Sequence, residues 1–259
     1  MPRVHRVQKV RFAGSCIVAV IAAACIDLSM DPDEIVAIEL AEFAWPSIVA
    51  GDTLRDVNGA VAPLVARLFD GNGDVVEGPV EFLVARPGAR IIGGDRLVAD
   101  DTTTGAIGIL ASTPGIQSVI REIQIVAAPR SLVVNGVVTP LRWVVPDDPG
   151  TNTSQPVGVR VIAAADSGVR SWIVTFQLEA GGRVIAQNDT SQIFLVGDNG
   201  RPSYVDTTDA SGAASRRVRL RILPGLVAPD SAIVTIRASY KGQPLPGSPV
   251  RLVLPISPA

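Results

Sequence analysis

The feature that most constrains the fold of this chain is a series of short segments in which apolar and polar residues alternate. Residues 34–40, 80–84 and 119–126 show this period of two, and Gly, Pro, Asn and Asp residues separate such segments. Successive side chains of a strand point to opposite faces, so each segment predicts a half-buried strand rather than a helix. Strands at this close spacing, with turn residues between them, predict an all-β sandwich architecture.

The pattern occurs twice along the chain. Residues 66–82 match residues 159–176, and residues 98–106 match residues 205–213. A repeat of this length indicates a duplicated domain, and 259 residues are enough for two domains of ordinary size. Pro129 and its small neighbours predict the seam between them. The predicted boundaries are 33–128 for the first domain, 129–256 for the second and 257–259 for a short tail.

Turn residues of the two repeats carry a resemblance to a known family. Residues 208–214 of the second repeat have the form Thr-Asp-x-x-Gly-x-Ala, which is similar to the recurrent turn of bacterial immunoglobulin-like domains of the invasin/intimin type. The resemblance spans residues 33–256, is weaker in the first repeat, and implies two tandem immunoglobulin-like β-sandwiches. We expect Asp to cap each turn and Gly to supply a positive φ. The residues of this turn signature are Asp70, Gly73, Asp166, Gly168, Thr208, Asp209 and Gly212.

The N-terminus has the pattern of an export signal. Residues 1–24 contain four basic residues and no acidic one, followed by a short apolar stretch that ends in small residues. Residues 21–25, Ile-Ala-Ala-Ala-Cys, resemble the lipobox of bacterial lipoproteins, although Ala22 stands where Leu is commonest. The resemblance implies cleavage before Cys25, lipidation of Cys25 by fatty acid such as palmitate, and a tether over residues 25–32. Ile26 in place of Asp implies delivery to the outer membrane. A plain secretory signal is the alternative.

Processing at this point would leave a chain with little catalytic chemistry. The only histidine is His5 and the only cysteines are Cys16 and Cys25, so neither imidazole nor a free thiol would remain. Histidine-dependent nucleophilic catalysis and Cys/His zinc sites are then unavailable. Removing four of the 23 basic residues and none of the 25 acidic ones leaves a formal net charge of −6, which disfavours nucleic acid as a partner. We predict a protein that is not an enzyme and has no cofactor.

One segment has the spacing of a calcium loop. Asp70, Asn72, Asp74 and Glu81 occupy positions one, three, five and twelve of an EF-hand register. Position six is Val75 rather than Gly, and the residues around Glu81 alternate as in a strand. We therefore favour a hairpin turn and expect no metal site.

Three other features are candidates for binding. Trp45, Trp143 and Trp172 are expected to be mainly core residues, with Trp143 the best candidate for an exposed ring. The polar stretch 146–156 predicts a loop at the end of a sandwich, where binding residues commonly lie. Its candidate residues are Asp147, Asp148 and Asn152. Arg216, Arg217, Arg219 and Arg221 form a basic run whose odd-numbered members share one face of a strand, either as a solvated face or as a patch for an acidic glycan or a partner carboxylate.

These observations favour a non-catalytic protein held in the cell envelope by a lipid anchor. Its immunoglobulin-like modules would serve adhesion, or structural spacing and protein interaction. The alternative is a polysaccharide-binding module of the cell surface that uses an exposed aromatic such as Trp143. The expected partners are the membrane, through the lipid, and an unidentified protein or glycan. The sequence leaves open whether the protein faces the periplasm or the outside.

Overall fold

The computed structural model describes residues 34–225 and 227–258, and over these residues the chain is all-β. The predicted all-β class is therefore confirmed. The described residues form 22 strands and a single 3-10 turn at Ala164–Asp166. No helix among them has the length and apolar character needed to span a membrane. The predicted signal peptide and the whole predicted tether, residues 25–32 with Cys25, lie outside the described residues.

The first half of the described chain contains ten strands. They are β1 (Ala37–Leu40), β2 (Ser47–Val49), β3 (Ala66–Phe69), β4 (Val75–Val76), β5 (Glu81–Val84), β6 (Ala89–Ile92), β7 (Arg96–Ala99), β8 (Gly105–Thr113), β9 (Ile116–Gln117) and β10 (Arg121–Val126). One sheet has the order β1-β3-β4, and a second has the order β2-β10-β8-β5 with β9 paired to β8. Strands β6 and β7 form a hairpin. Strand β2 runs parallel to β10, and the other pairs are antiparallel.

The second half contains twelve strands. They are β11 (Ser131–Asn135), β12 (Leu141–Trp143), β13 (Val157–Ile162), β14 (Ile173–Ala180), β15 (Arg183–Ile185), β16 (Ile193–Val196), β17 (Val205–Thr207), β18 (Ala213–Leu220), β19 (Ser231–Arg237), β20 (Ser239–Tyr240), β21 (Gln243–Pro244) and β22 (Val250–Pro258). One sheet has the order β11-β13-β18-β16, and the other has the order β12-β22-β19-β14-β15 with β17 paired to β14. Strands β20 and β21 form a hairpin.

Strand pairing divides the described chain at one place. Every ladder among the described residues joins two strands of β1–β10 or two strands of β11–β22. Residues 127–130, where the sequence predicts a seam, connect β10 to β11. Backbone hydrogen bonding along the sheets is therefore completed separately in each half, and side chains and loops make the contacts between the halves.

The core follows from the alternation seen in the sequence. Alternate residues of the central strands are buried: Ile107, Ile109 and Ala111 in β8, Ile123 and Ile125 in β10, Val174, Phe176 and Leu178 in β14, and Ala232, Val234 and Ile236 in β19. Burying one large aliphatic side chain stabilises a fold by about 1.5–3 kcal/mol. The same period of two that identifies the strands therefore also supplies the apolar face that holds each sheet in place.

Candidate functional site

The turn signature is a local structure in which one carboxylate caps its own backbone. Oδ1 of Asp209 accepts the N–H groups of Ser211 at 2.8 Å and Ala213 at 3.0 Å. Oδ1 of Asp70 accepts the N–H groups two and four residues further on, each at 2.9 Å. The glycines of these turns, Gly212 and Gly73, have φ of +80° and +85°. The two turns are thus the same structure in the two halves.

A third copy of this turn had not been singled out from the sequence. Oδ1 of Asp56 accepts the N–H groups of Asn58 and Ala60, each at 2.9 Å, and Gly59 has φ of +83°. The Asn58-Gly59 pair is a common turn signal and could have identified it. The Asp-x-x-Gly spacing therefore indicates a turn type and does not mark equivalent positions of a repeat.

Asp166 and Gly168 form a different structure from the one expected. Positive φ values occur at Ala165 and Asp166 and not at Gly168. Glycine is required at position 168 because a neighbouring backbone segment fills the space that a side chain would take. A Cβ built on Gly168 would lie 2.1 Å from the carbonyl oxygen of Ser211, and one on Gly212 would lie 2.3 Å from that of Val161. The matching of Asp166–Gly168 with Asp70–Gly73 is therefore corrected: the segment packs against the Asp209 turn and does not form a turn of the Asp70 kind.

Thr208 joins these segments from within the second half. It is buried, its hydroxyl donates to the carbonyl oxygen of Val169, and its Oγ1 accepts the N–H of Trp172 at 2.9 Å. Thr208 therefore fixes the entry to β14, which is a structural role.

The carboxylate of the weak calcium candidate is already engaged by the chain. The N–H of Asp74 is the main group that holds the pKa of Asp70 below its ordinary value, with a further contribution from Asn72. Val75 belongs to β4 and Glu81 to β5. No group of three or more Asp, Glu, His or Cys residues in the described part of the chain is arranged to hold a metal ion.

Trp143 is buried. It lies at the end of β12, beside β22, and only 9% of its surface is exposed. Trp45 and Trp172 are buried as well. The sequence had offered Trp143 as the best candidate for an exposed platform for a sugar ring, and that suggestion is corrected: the ring is part of the apolar core.

Asn152 fastens the loop that spans residues 146–156. It is fully buried, its Nδ2 donates to the carbonyl oxygen of Val144 at 2.9 Å and to Oδ1 of Asp147 at 3.1 Å, and its Oδ1 accepts the N–H of Val144 at 3.0 Å. Asp148 accepts the hydroxyl of Thr151 and the N–H of Gly150. The three polar residues predicted for binding therefore shape the loop.

Asp147 attaches this loop to the neighbouring sheet. One carboxylate oxygen of Asp147 lies 2.8 Å from Nη2 of Arg219 in β18. Burial alone would raise the pKa of Asp147, but hydrogen bonds from Asn152 and Arg219 outweigh it and hold that pKa below its ordinary value. The loop is thus held by a partly buried ion pair above the outer face of β18.

The arginine run splits between the two faces of β18. Arg216 is buried, pairs with Asp206 at 2.8 Å and lies 5.6 Å from the ring centre of Phe176. Arg217, Arg219 and Arg221 point to the other face, as their spacing predicts. There they line an open groove of about 570 Å³, which we call the arginine groove. Its other walls are strand β16 and the loop of residues 149–155.

A second polar cluster lies where the two halves meet, and we call it the junction. The hydroxyl of Tyr240 donates to Oδ2 of Asp52 at 2.7 Å, and Nζ of Lys241 lies 3.4 Å from the same oxygen. Asp52 also accepts two hydrogen bonds from Arg55 and one from the N–H of Thr53. A carboxylate from the first half is therefore completed by a phenol and an ammonium group from the second.

Aromatic rings cover this cluster. The ring centres of Trp45 and Trp172 lie 5.3 Å apart at 62°, and those of Trp172 and Tyr240 lie 5.8 Å apart at 74°. Such edge-to-face pairs contribute about 0.5–1.5 kcal/mol beyond the area that they bury. The hydroxyl of Ser47 also donates to the carbonyl oxygen of Ser171 at 2.8 Å.

Burial and hydrogen bonding shift the pKa values of Asp52 and Tyr240 in the junction. Burial by itself would raise the pKa of Asp52, but hydrogen bonds from Arg55, Tyr240 and the N–H of Thr53 hold that pKa well below its usual range. Burial and the bond to Asp52 raise the pKa of Tyr240 well above its usual range. The pair is therefore a charged acceptor and a neutral donor over a wide span of pH. Nothing in the sequence marked it, because its partners are 188 residues apart.

Comparison with known proteins leaves the family of this chain open. No family model matches it, and no curated protein matches it closely. Among solved structures, it is similar to the Yersinia pseudotuberculosis adhesin InvE, with 16% identity and a TM-score of 0.33 over 85% of this chain and 58% of that one. Domains 5–6 of the surface-layer protein SbsC are 13% identical, with a TM-score of 0.28, over 87% of this chain and 99% of that one. The β-glucuronidase of Parabacteroides merdae is 15% identical, with a TM-score of 0.28, over 86% of this chain and 24% of that one. An adhesin, a surface-layer protein and an enzyme thus match at a similar level, so no activity transfers to this chain.

Proposed function

We propose that this chain is a non-catalytic protein of the bacterial cell envelope that acts as a lipid-anchored spacer or adhesive arm. It would consist of two immunoglobulin-like modules, residues 33–128 and 129–256, carried on a lipidated Cys25. The observation that carries the proposal is the junction between Asp52 and Tyr240. An arm that holds a surface away from a membrane must transmit orientation from one module to the next, and a short linker alone does not do this.

Two further observations support it. The sheets of the two halves share no ladder among the described residues, as expected for modules that fold around separate cores. The sequence beyond residue 25 contains neither histidine nor cysteine, which removes the commonest nucleophile–base pairs. The alternative polysaccharide-binding role loses Trp143 as its platform, because that ring is buried.

Metabolic labelling tests the anchor. Cells that express the chain are grown with a labelled fatty acid, and we expect label in the wild type and in Cys16→Ala but none in Cys25→Ala. Equal labelling of wild type and Cys25→Ala would overturn the anchor. An outer-membrane location, which Ile26 supports, is checked by separating the two membranes of the same cells.

Protease treatment of intact cells distinguishes adhesion from spacing. An adhesive arm must face outward, so we expect fragments of this chain to be released by external protease. Complete protection, with cleavage only after the outer membrane is permeabilised, would contradict adhesion and favour spacing within the periplasm.

A further inference from the structure

We propose that the arginine groove binds an acidic polysaccharide whose sugars carry carboxylates, which goes beyond the anchoring and spacing role. The groove combines a positive charge with an open shape. The whole chain has a formal net charge of −2, yet three arginines converge on this face, opposed by Asp198 on the wall and by Asp147, which pairs with Arg219. The local charge therefore differs in sign from that of the chain.

Two of the three guanidinium groups are available to a ligand. Arg217 and Arg221 are exposed, and neither forms an ion pair with a described residue. Cζ of Arg221 lies 5.5 Å from the ring centre of Phe194, which is buried. A guanidinium stacked on a ring is held in place while its N–H edge stays free for a carboxylate. Arg219 is committed to Asp147 and holds the loop that forms one wall.

The spacing of the arginines suits a linear polymer. Residues two apart in extended backbone are about 7 Å apart, so Arg217 in β18 and Arg221, directly after the end of β18, present charge over about 13 Å. A carboxylate carries one negative charge, and Asp198 repels it less than it repels a phosphate monoester, which carries between one and two. A chain of sugars with carboxylates at intervals can meet both ends of the groove at once.

The neutral groups of the groove suit hydroxyl-bearing sugars. Gln155 is exposed and Thr190 is half-buried, and both lie on its walls beside Pro149, Gly150 and Thr153. Their amide and hydroxyl groups can donate to and accept from sugar hydroxyls. The only large aromatic side chain of the wall, Phe194, is buried beneath Arg221, so polar contacts rather than ring stacking would hold the ligand.

An acidic peptide fits this surface less well. Peptides that bind beside a sheet commonly add a strand to a free edge. At β16, the strand that borders the groove, the N–H of Ser203 bonds the carbonyl oxygen of Leu195 at 3.1 Å, and the N–H of Gly197 bonds that of Arg201 at 3.0 Å. Residues 201–203 thus occupy this edge, which leaves side chains as the means of recognition.

Titration of the full chain, in non-ionic detergent, with polygalacturonate tests the proposal. We expect saturable binding that weakens at high ionic strength and is lost when the polymer is fully methyl-esterified, because esterification removes the charge and keeps the sugar. Arg217→Gln combined with Arg221→Gln should raise Kd about tenfold or more.

A matched variant controls for total charge. Arg67 and Arg142 are exposed strand residues that form no ion pair with a described residue, so Arg67→Gln combined with Arg142→Gln removes the same charge elsewhere. Binding by this variant within twofold of the wild type is expected. The proposal is overturned if polygalacturonate does not bind, if both double variants weaken it equally, or if poly-L-glutamate binds as tightly. Labelling of Cys25 is unaffected by any of these results, so the two proposals can fail separately.

Discussion

The phenol of Tyr240 and the carboxylate of Asp52 form a 2.7 Å hydrogen bond across 188 residues of sequence. Asp52 follows β2 in the first half, and Tyr240 ends β20 in the second. Each group is the hydrogen-bond partner of the other. Without Tyr240, a partly buried carboxylate loses a donor, and without Asp52, a partly buried hydroxyl loses its acceptor. The bond therefore couples two sets of sheets that share no strand pairing among the described residues.

Removal of this hydroxyl should destabilise the protein. We expect Tyr240→Phe to lower the free energy of unfolding in urea by about 1–3 kcal/mol, because a hydrogen bond to a charged group is lost. The control is Tyr204→Phe. Tyr204 is buried, and its hydroxyl forms no hydrogen bond of standard geometry, although the N–H of Leu195 lies close to it, so its removal should cost clearly less than removal of the Tyr240 hydroxyl. Equal losses in both variants would show that the Asp52 bond contributes nothing.

Acid should weaken the junction through Asp52. The pKa of Asp52 is lower in the folded chain than the ordinary value of about 4, so its contribution to stability is present above that value and is lost as the pH falls towards the folded pKa. We expect the difference in unfolding free energy between wild type and Asp52→Asn to be constant from about pH 7 to pH 5 and to shrink below about pH 4. Urea titrations at each pH measure it, and a constant difference down to about pH 2 would contradict this assignment.

Gly59 lets the two halves approach closely. A Cβ at this position would lie 2.1 Å from the backbone nitrogen of Gly242, whereas a Cβ on Gly73, in an equivalent turn with nearly the same φ, meets nothing within 4 Å. Both glycine-to-alanine changes strain the backbone by about 1–3 kcal/mol, but only Gly59→Ala should also push the halves apart. We expect faster proteolysis at residues 127–130 and a larger radius of gyration for Gly59→Ala alone. The same change in both variants would contradict the close approach.

Gly212 fixes the turn signature of the second half. A side chain there meets the carbonyl oxygen of Val161 at 2.3 Å and must adopt φ near +80°. Gly200 has φ of +72° in open space. We expect Gly200→Ala to lower stability by about 1 kcal/mol and Gly212→Ala to lower it clearly more, since steric overlap adds to backbone strain. Thermal unfolding compares them, and equal melting temperatures would refute the packing of Gly212 on β13.

Loss of the Asn152 side chain should lower the free energy of unfolding, because it holds the loop that forms one wall of the arginine groove. Asn152→Ala leaves the N–H and carbonyl of Val144 without their partner and releases Asp147, which should cost about 1–3 kcal/mol. Asn199→Ala is the control, because Asn199 is exposed and caps a turn through one backbone bond. Chemical denaturation of both variants measures the difference, and a neutral Asn152→Ala would exclude a fastening role.

The features that could be predicted from sequence depend on neighbours close along the chain. The period of two at 80–84 and 119–126 corresponds to β5 and β10, because burial of alternate side chains is a property of the strand itself. The Asp70 and Asp209 turns follow for the same reason, since each carboxylate caps N–H groups within four residues. Even here a contact with another strand shifts the start of β10, which lies at Arg121 rather than at residue 119. Ser118 occupies both backbone groups of Ala111 in β8: its Oγ accepts the N–H of Ala111, and its N–H donates to the carbonyl oxygen of Ala111.

The site properties of this protein were decided by tertiary structure. Alternation along β18 separates Arg216 from Arg217, but only the packing of the 146–156 loop and β16 turns the outer face into a groove. Trp143 was the best candidate for an exposed ring among three tryptophans expected mainly in the core, and its ring is part of the apolar core. The bond between Asp52 and Tyr240 has no local signal at all. Local sequence thus determined the strands, the turns and the lack of histidine and cysteine beyond residue 25. The exposure of side chains, the pairing of charges and the contact between the halves depend on which distant surfaces meet.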